Sequence, residues 1–95
     1  MEFIQEANRF YICNESQELL AEITWQQDDE NRVLIADHTF VDDRLRGQGV
    51  ARQLLDRLVE FAKELDYRIV PVCSYVVSQF DKVESYQEID ARKVK

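Results

Sequence analysis

The two glycines of this chain, Gly47 and Gly49, stand two apart in the segment Arg46-Gly47-Gln48-Gly49-Val50-Ala51. Residues of these types in this order suit the holding of a phosphate. Glycine lets a backbone turn through positive φ and brings main-chain N–H groups against a ligand with no Cβ between them. From Gln48 onward Val50, Ala51, Leu54, Leu55, Leu58, Val59, Ala62 and Leu65 recur at i, i+3, i+4 spacing, so a helix begins where the glycines end. Its first turn offers unpaired N–H groups and a partial positive charge. Arg44, Arg46 and Arg52 add guanidinium forks that match phosphate oxygens, in a chain that is otherwise acidic. A tight strand-to-helix turn with arginines as solubilising surface would use the same residues. A dinucleotide-binding fingerprint is disfavoured, because its third glycine position is Arg52 and the chain is too short for a doubly wound sheet.

Three further side chains could do chemistry. His38 is the sole histidine. Its residue type titrates near neutrality, so it is either a proton acceptor or a histidine held by hydrogen bonds in the core. Cys73 precedes Ser74, a residue able to cap a short helix, and a thiol placed there is either activated or a small buried apolar group. Tyr75 follows two residues on. Cys13 has no such context and belongs to the core or the sheet. The turn of Asp28, Asp29, Glu30 and Asn31 resembles a cation loop only in composition, since it lacks the glycine and the spaced carboxylates.

The elements that position these residues follow from periodicity. Residues 9–13 form a short β-rich run closed by a polar turn at 14–17. Residues 19–26 alternate, with Leu19, Ala21, Ile23 and Trp25 on one side and Leu20, Glu22, Thr24 and Gln26 on the other. Residues 32–41 make a third strand, and short polar connections make the three an antiparallel meander. After the long helix, 68–73 is an apolar strand parallel to the third. Pro71, which has no N–H to donate, puts that strand at an edge or splays it. A short helix through about residue 81 and a frayed charged tail at 87–95 complete the chain. Phe10, Ile12, Trp25, Leu54, Leu58 and Phe61 read as ordinary packing.

Composition bounds the rest. Ninety-five residues hold a single domain, 1–95, and 45% apolar content is ordinary for a globular one. A net charge of -7 argues against nucleic acid, which needs a basic stripe, and against anionic membranes. Two distant cysteines read as free thiols, and with no signal segment or membrane span in view the expected location is the cytoplasm. The expected state is a monomer or weak homodimer with no metal.

At this point the sequence resembles the GNAT superfamily of acetyl-CoA-dependent N-acetyltransferases. Their loop is Gln/Arg-x-x-Gly-x-Gly/Ala, and Arg46, Gly49 and Ala51 occupy its fixed positions. The match is closer to short single-domain members, which carry His-Thr before the loop and Cys-x-Tyr after the next strand, here His38-Thr39 and Cys73-Ser74-Tyr75. The resemblance spans about residues 33–80. It implies an α+β fold: a minimal GNAT-like core of three-stranded antiparallel meander, long helix, parallel strand splayed from the third, and short C-terminal helix. It implies acetyl-CoA (coenzyme A) as cofactor, with Arg46, Gly47, Gln48, Gly49, Val50, Ala51 and Arg52 around the pyrophosphate and Thr39, Phe40 and Val41 along the pantetheine arm. It implies transfer of acetyl to an unidentified amine, with a main-chain amide polarising the thioester and His38, Cys73 and Tyr75 nearest the chemistry. Two departures stand out: Cys73 falls where many members have asparagine, and Phe80 where many have the tyrosine that protonates the leaving thiolate. The alternative is therefore a non-catalytic acyl-CoA-binding or protein-interaction module, which the absence of the family's usual N-terminal helices also favours.

Overall fold

A computed structural model describes residues 2–93. Five strands form one sheet in chain order: β1 (Ile4–Glu6), β2 (Arg9–Cys13), β3 (Leu19–Asp28), β4 (Val33–Val41) and β5 (Arg68–Pro71). The first four are antiparallel neighbours and β5 runs parallel to β4. Helix α1 (Val50–Leu65) makes the crossover between β4 and β5, and α2 (Ser74–Lys82) follows β5. The meander gains a strand the sequence pattern leaves unmarked. Ile4–Glu6 is three residues long and exposed throughout, too short for alternation to register.

Alternation on β3 sets the layers. Ala21, Ile23 and Trp25 are buried, and the register places Phe10 of β2 and Ala36 of β4 on the same face. Leu34 and Ile69 extend that face toward β5. Onto it α1 lays Val50, Leu54, Leu55, Leu58, Val59 and Ala62, the stripe that 3.6-residue spacing dictates. Phe10, Trp25 and Phe61 meet with ring centroids 5.1–5.8 Å apart. Helix α2 contributes Val76 and Phe80 to the same cluster. Both helices thus cover one face of the sheet, and the molecule's thin dimension is 18 Å.

The C-terminal segment corrects the expectation of a frayed tail at 87–95. The Ile69 N–H donates to Ile89 O at 2.8 Å, Ile69 bridges Asp90 in parallel, and Tyr86, Ile89 and Asp90 are buried. Burial raises the Asp90 pKa, but hydrogen bonds from the Arg92 side chain and amide outweigh it and leave the carboxyl below its ordinary range. Only Ile89 and Asp90 of this mostly charged stretch are buried among the described residues, too few apolar residues to register in a compositional reading. The tail expected at 87–95 also includes Val94 and Lys95, which lie outside the described residues.

Candidate functional site

Strand β4 ends in a turn built by its own side chains. Asp42 accepts from the Arg44 N–H at 2.9 Å and caps a single helical turn, Asp43–Leu45. The chain then passes through Gly47 at φ +80° and Gly49 at φ +69°, and Gly49 is the N-cap of α1. Neither glycine is crowded: a Cβ built at either would meet nothing within 4 Å. Positive φ, and open space in front of the turn, are what these positions require of glycine. Among the described residues, the main-chain amides of Gly47, Gly49, Val50, Ala51 and Arg52 donate to no protein group, and the first helical bond runs from Gln53 N to Gly49 O at 3.1 Å. This donor set fits a diphosphate.

The arginines around it are not the free positive cluster their spacing suggests. Arg44 is clasped by Asp42 at 2.9 Å and Glu18 at 3.4 Å. Its guanidinium in turn draws the Asp42 carboxyl down to about 2. Arg52 pairs with Asp56 at 3.4 Å and lies 5.0 Å from the centroid of the Tyr86 ring, whose hydroxyl donates to Asp56. Burial, then Asp56, push the Tyr86 hydroxyl above the ordinary tyrosine range. Arg46 alone is held loosely, by Asp43 at 2.7 Å with both side chains more than three-quarters exposed. A surface pair of that kind yields readily to a phosphate. The amides, rather than the arginines, are the turn's unpaired donors among the described residues, and Arg46 is the most exposed of its three cations.

Beside the turn the sheet opens. Strands β4 and β5 pair from Val33↔Arg68 to Ala36↔Pro71, and the amides of Val72 and Cys73 both donate to Ala36 O. Beyond Ala36, strand β4 continues to Val41 with β3 as its only partner strand among the described residues, which is the splayed gap that Pro71 foreshadows. Cys73 stands at the head of the gap. It, and not Ser74, is the N-cap of α2; Ser74 is the first helical residue and exposed. Its Sγ lies 3.5 Å from Thr39 Oγ1. Burial raises the thiol pKa, but the Thr39 hydroxyl and the amides of Val76 and Tyr75 overcome it, and the thiol sits below its ordinary range. Tyr75, half-buried on the side of Arg52 and Asp56, is pushed up by burial. Phe80 is buried in the core, its ring centroid 5.1 Å from that of Tyr86.

His38 is brought to the gap from the other side. Pairing puts Thr39 opposite Ile23 and Val41 opposite Ala21, on the helix face, and puts His38 opposite Thr24 and Phe40 opposite Glu22, on the bare face. The His38 side chain is 52% exposed, so it is not a core histidine, and its Nε2 lies 3.2 Å from Glu22 Oε2. Glu22 also accepts from Arg9 at 3.1 Å. The sequence reading missed Glu22 and Asp37. Asp37 sits in a β-bulge and accepts from Thr24 Oγ1 at 2.7 Å and Gln26 Nε2 at 3.1 Å. Glu22 was on the polar side of its strand, but only the register past the bulge reveals that it meets His38.

A family model described as GCN5-related N-acetyl-transferase matches residues 9–89. No curated protein matches the sequence. Among solved structures, a GCN5-like protein of Staphylococcus aureus assigned as an N-acetyltransferase is 40% identical, with a TM-score of 0.78 over 94% of this chain and 86% of its own. Tetrahymena GCN5 shares the fold at 13% identity and TM-score 0.64, over 78% of this chain and 48% of its own. A GNAT family N-acetyltransferase of Escherichia coli, solved with CoA, does so at 17% and 0.61, over 83% and 48%. The chain spans about half the length of these two larger proteins.

Proposed function

The chain belongs to the GCN5-related N-acetyltransferase family, and on that premise we propose that it binds acetyl-CoA and passes the acetyl group to an amine. The observation that carries this is the turn whose five amides, from Gly47 and from Gly49 to Arg52, donate to no group among the described residues. They would hold the pyrophosphate, joined by Arg46 once it leaves Asp43. The bare edge of β4 at Thr39, Phe40 and Val41 would take the amide-bearing arm. Bound acetyl-CoA supplies an acyl group already activated as a thioester.

The chain's own residues then divide the proton work. Glu22 fixes the imidazole of His38 at the mouth of the gap, where it accepts the proton of an attacking amine. The proton for the departing thiolate comes from Cys73. Its lowered pKa makes it a better acid than an ordinary thiol, whereas Tyr75 is made a worse one by burial. Phe80 has no proton to give, and its place in the core is that of a packing residue.

That same Phe80 favours the second function, a module that binds acyl-CoA without transferring. Thiol release from acetyl-CoA in the presence of an amine panel separates the two. We expect release with at least one amine, lowered about 100-fold by His38→Ala or Cys73→Ala with acetyl-CoA affinity kept. Binding with no release from any amine would leave only the second function. Release unaffected by either substitution would remove those residues from the mechanism.

A further inference from the structure

On the face of the sheet away from the helices, one ionisable side chain from each antiparallel strand joins a single row: Glu6 on β1, Arg9 on β2, Glu22 on β3 and His38 on β4. Register brings them together. Arg9 lies opposite Glu6 and, on its other side, opposite Thr24, whose own partner is His38. Glu22, two residues before Thr24 on the same face, is diagonal to both Arg9 and His38. Its two oxygens are divided between them. Oε1 accepts from Arg9 Nη1 at 3.1 Å, and Oε2 lies 3.2 Å from His38 Nε2. The Glu22 side chain is only 15% exposed, so its charge depends on these partners more than on water.

Alone with His38, that carboxylate would favour a proton on the imidazole. Asp37 adds to the pull from β4 itself. It accepts from Thr24 and Gln26, neither of which carries a charge, and those bonds, Thr24's first, keep its carboxyl ionised below the ordinary range. An imidazole held as imidazolium is well oriented but takes no further proton, and a general base must take one. Arg9 is the cation set against the two carboxylates. Glu6 engages it as well, at 3.3 Å, and its guanidinium carbon lies 3.9 Å from the centroid of the Tyr11 ring. The hydrogen bond to Glu22, ahead of every other influence, raises Arg9 above the ordinary arginine range, so it stays charged whatever His38 does.

We propose that Arg9 is a positioning residue for His38: by sharing Glu22, it lets that carboxylate orient the imidazole without fixing a proton on it. The two tasks separate by atom. Nε2–H donates to Glu22 Oε2, which leaves Nδ1 as the acceptor. Arg9 balances Glu22 through Oε1, so a proton gained at Nδ1 passes on to water instead of being trapped in an ion pair. The charge coupling stands on this geometry alone, while its part in acetyl transfer rests on His38 being the base proposed above.

His38 is the sole histidine, so its ring protons can be followed by NMR through a pH titration of the untagged chain with neither acetyl-CoA nor amine present. Arg9→Gln should raise the titration midpoint by about half a unit to one unit, and Arg9→Lys, which keeps the charge, should restore most of that shift. Glu22→Gln should lower the midpoint below that of the parent chain, because the carboxylate is lost and Arg9 remains. A midpoint that Arg9→Gln leaves in place or lowers would overturn the proposal. So would an Arg9→Lys variant that behaves like Arg9→Gln, or a Glu22→Gln variant whose midpoint does not fall. Arg9 acting only as a clasp between strands would change unfolding free energy and not the midpoint. In turnover with one amine, whose own ionisation is common to all variants, the acidic limb of kcat/KM should move upward in Arg9→Gln by the same amount as the midpoint. If the midpoint moves and the limb does not, His38 is not the base and that assignment falls, while the control of His38 by Arg9 is upheld.

Discussion

Ala7, Gln17, Arg32 and Asp66 all adopt positive φ, between 51° and 66°, and none is glycine. The chain tolerates that cost of about 1–2 kcal/mol per residue at ordinary turns and keeps both its glycines for one strand-to-helix junction. On the proposed function, a ligand that must approach the backbone accounts for the difference. This much was legible, because glycine's rarity here made its placement informative. The pairing of Arg44 and Arg52 with carboxylates was not, since it depends on Glu18 and Asp56, brought in by other elements. Replacing Gly49 by valine should cost about 1–2 kcal/mol in thermal unfolding through strain at φ +69°. It should also abolish acetyl-CoA binding in calorimetry, by setting a branched side chain before the free amides. Cys73 offers a second test, in a Cys13→Ser background that leaves a single thiol. Its alkylation by iodoacetamide should stay fast to lower pH than that of a cysteine peptide, because thiolate persists down to the lowered pKa. Thr39→Val should move the midpoint of that profile upward.

At the scale of elements, strong periodicity or alternation made α1, β3 and the parallel β5 readable, while three-residue β1 and the C-terminal segment were not. What decides those two is contact with neighbours, β1 pairing with β2 and Ile89 accepting from Ile69. The two-residue turn between β1 and β2 forces Ala7 to φ 51°, so Ala7→Gly should stabilise the hairpin and raise unfolding free energy by about 0.5–1 kcal/mol in urea titration. The C-terminal latch depends on Asp90, fully buried and gripped by Arg92. Its Ala substitution should cost about 1–3 kcal/mol and speed hydrogen exchange at the Ile69 amide. Because the folded Asp90 pKa lies below its unfolded value near 3.8, the contribution is complete above that pH. It is lost as pH falls through the folded value, so Ile69 protection should collapse in strong acid in the parent chain and be insensitive to that step in Asp90→Ala.

The whole molecule is a two-layer structure with a glycine turn at one end of its long helix, an open gap beside it and a sheet face that neither helix covers. The family was legible because its motif residues lie close in sequence on the elements that flank the gap, His38-Thr39 on β4 and Cys73-Ser74-Tyr75 after β5. That His38 and Cys73 reach it from opposite faces was not, since a one-residue bulge at Asp37 fixes the side on which His38 emerges. Among the described residues no helix is long and apolar enough to cross a membrane. The central claim is that main-chain amides of the turn bind coenzyme A. Titrating CoA into ¹⁵N-labelled protein and following amide resonances tests it most directly. Gly47, Gly49, Val50, Ala51 and Arg52 should shift first and furthest. Shifts confined to the cleft around Arg32, Lys63 and Arg68 at the other end of α1, or no shifts at all, would contradict it.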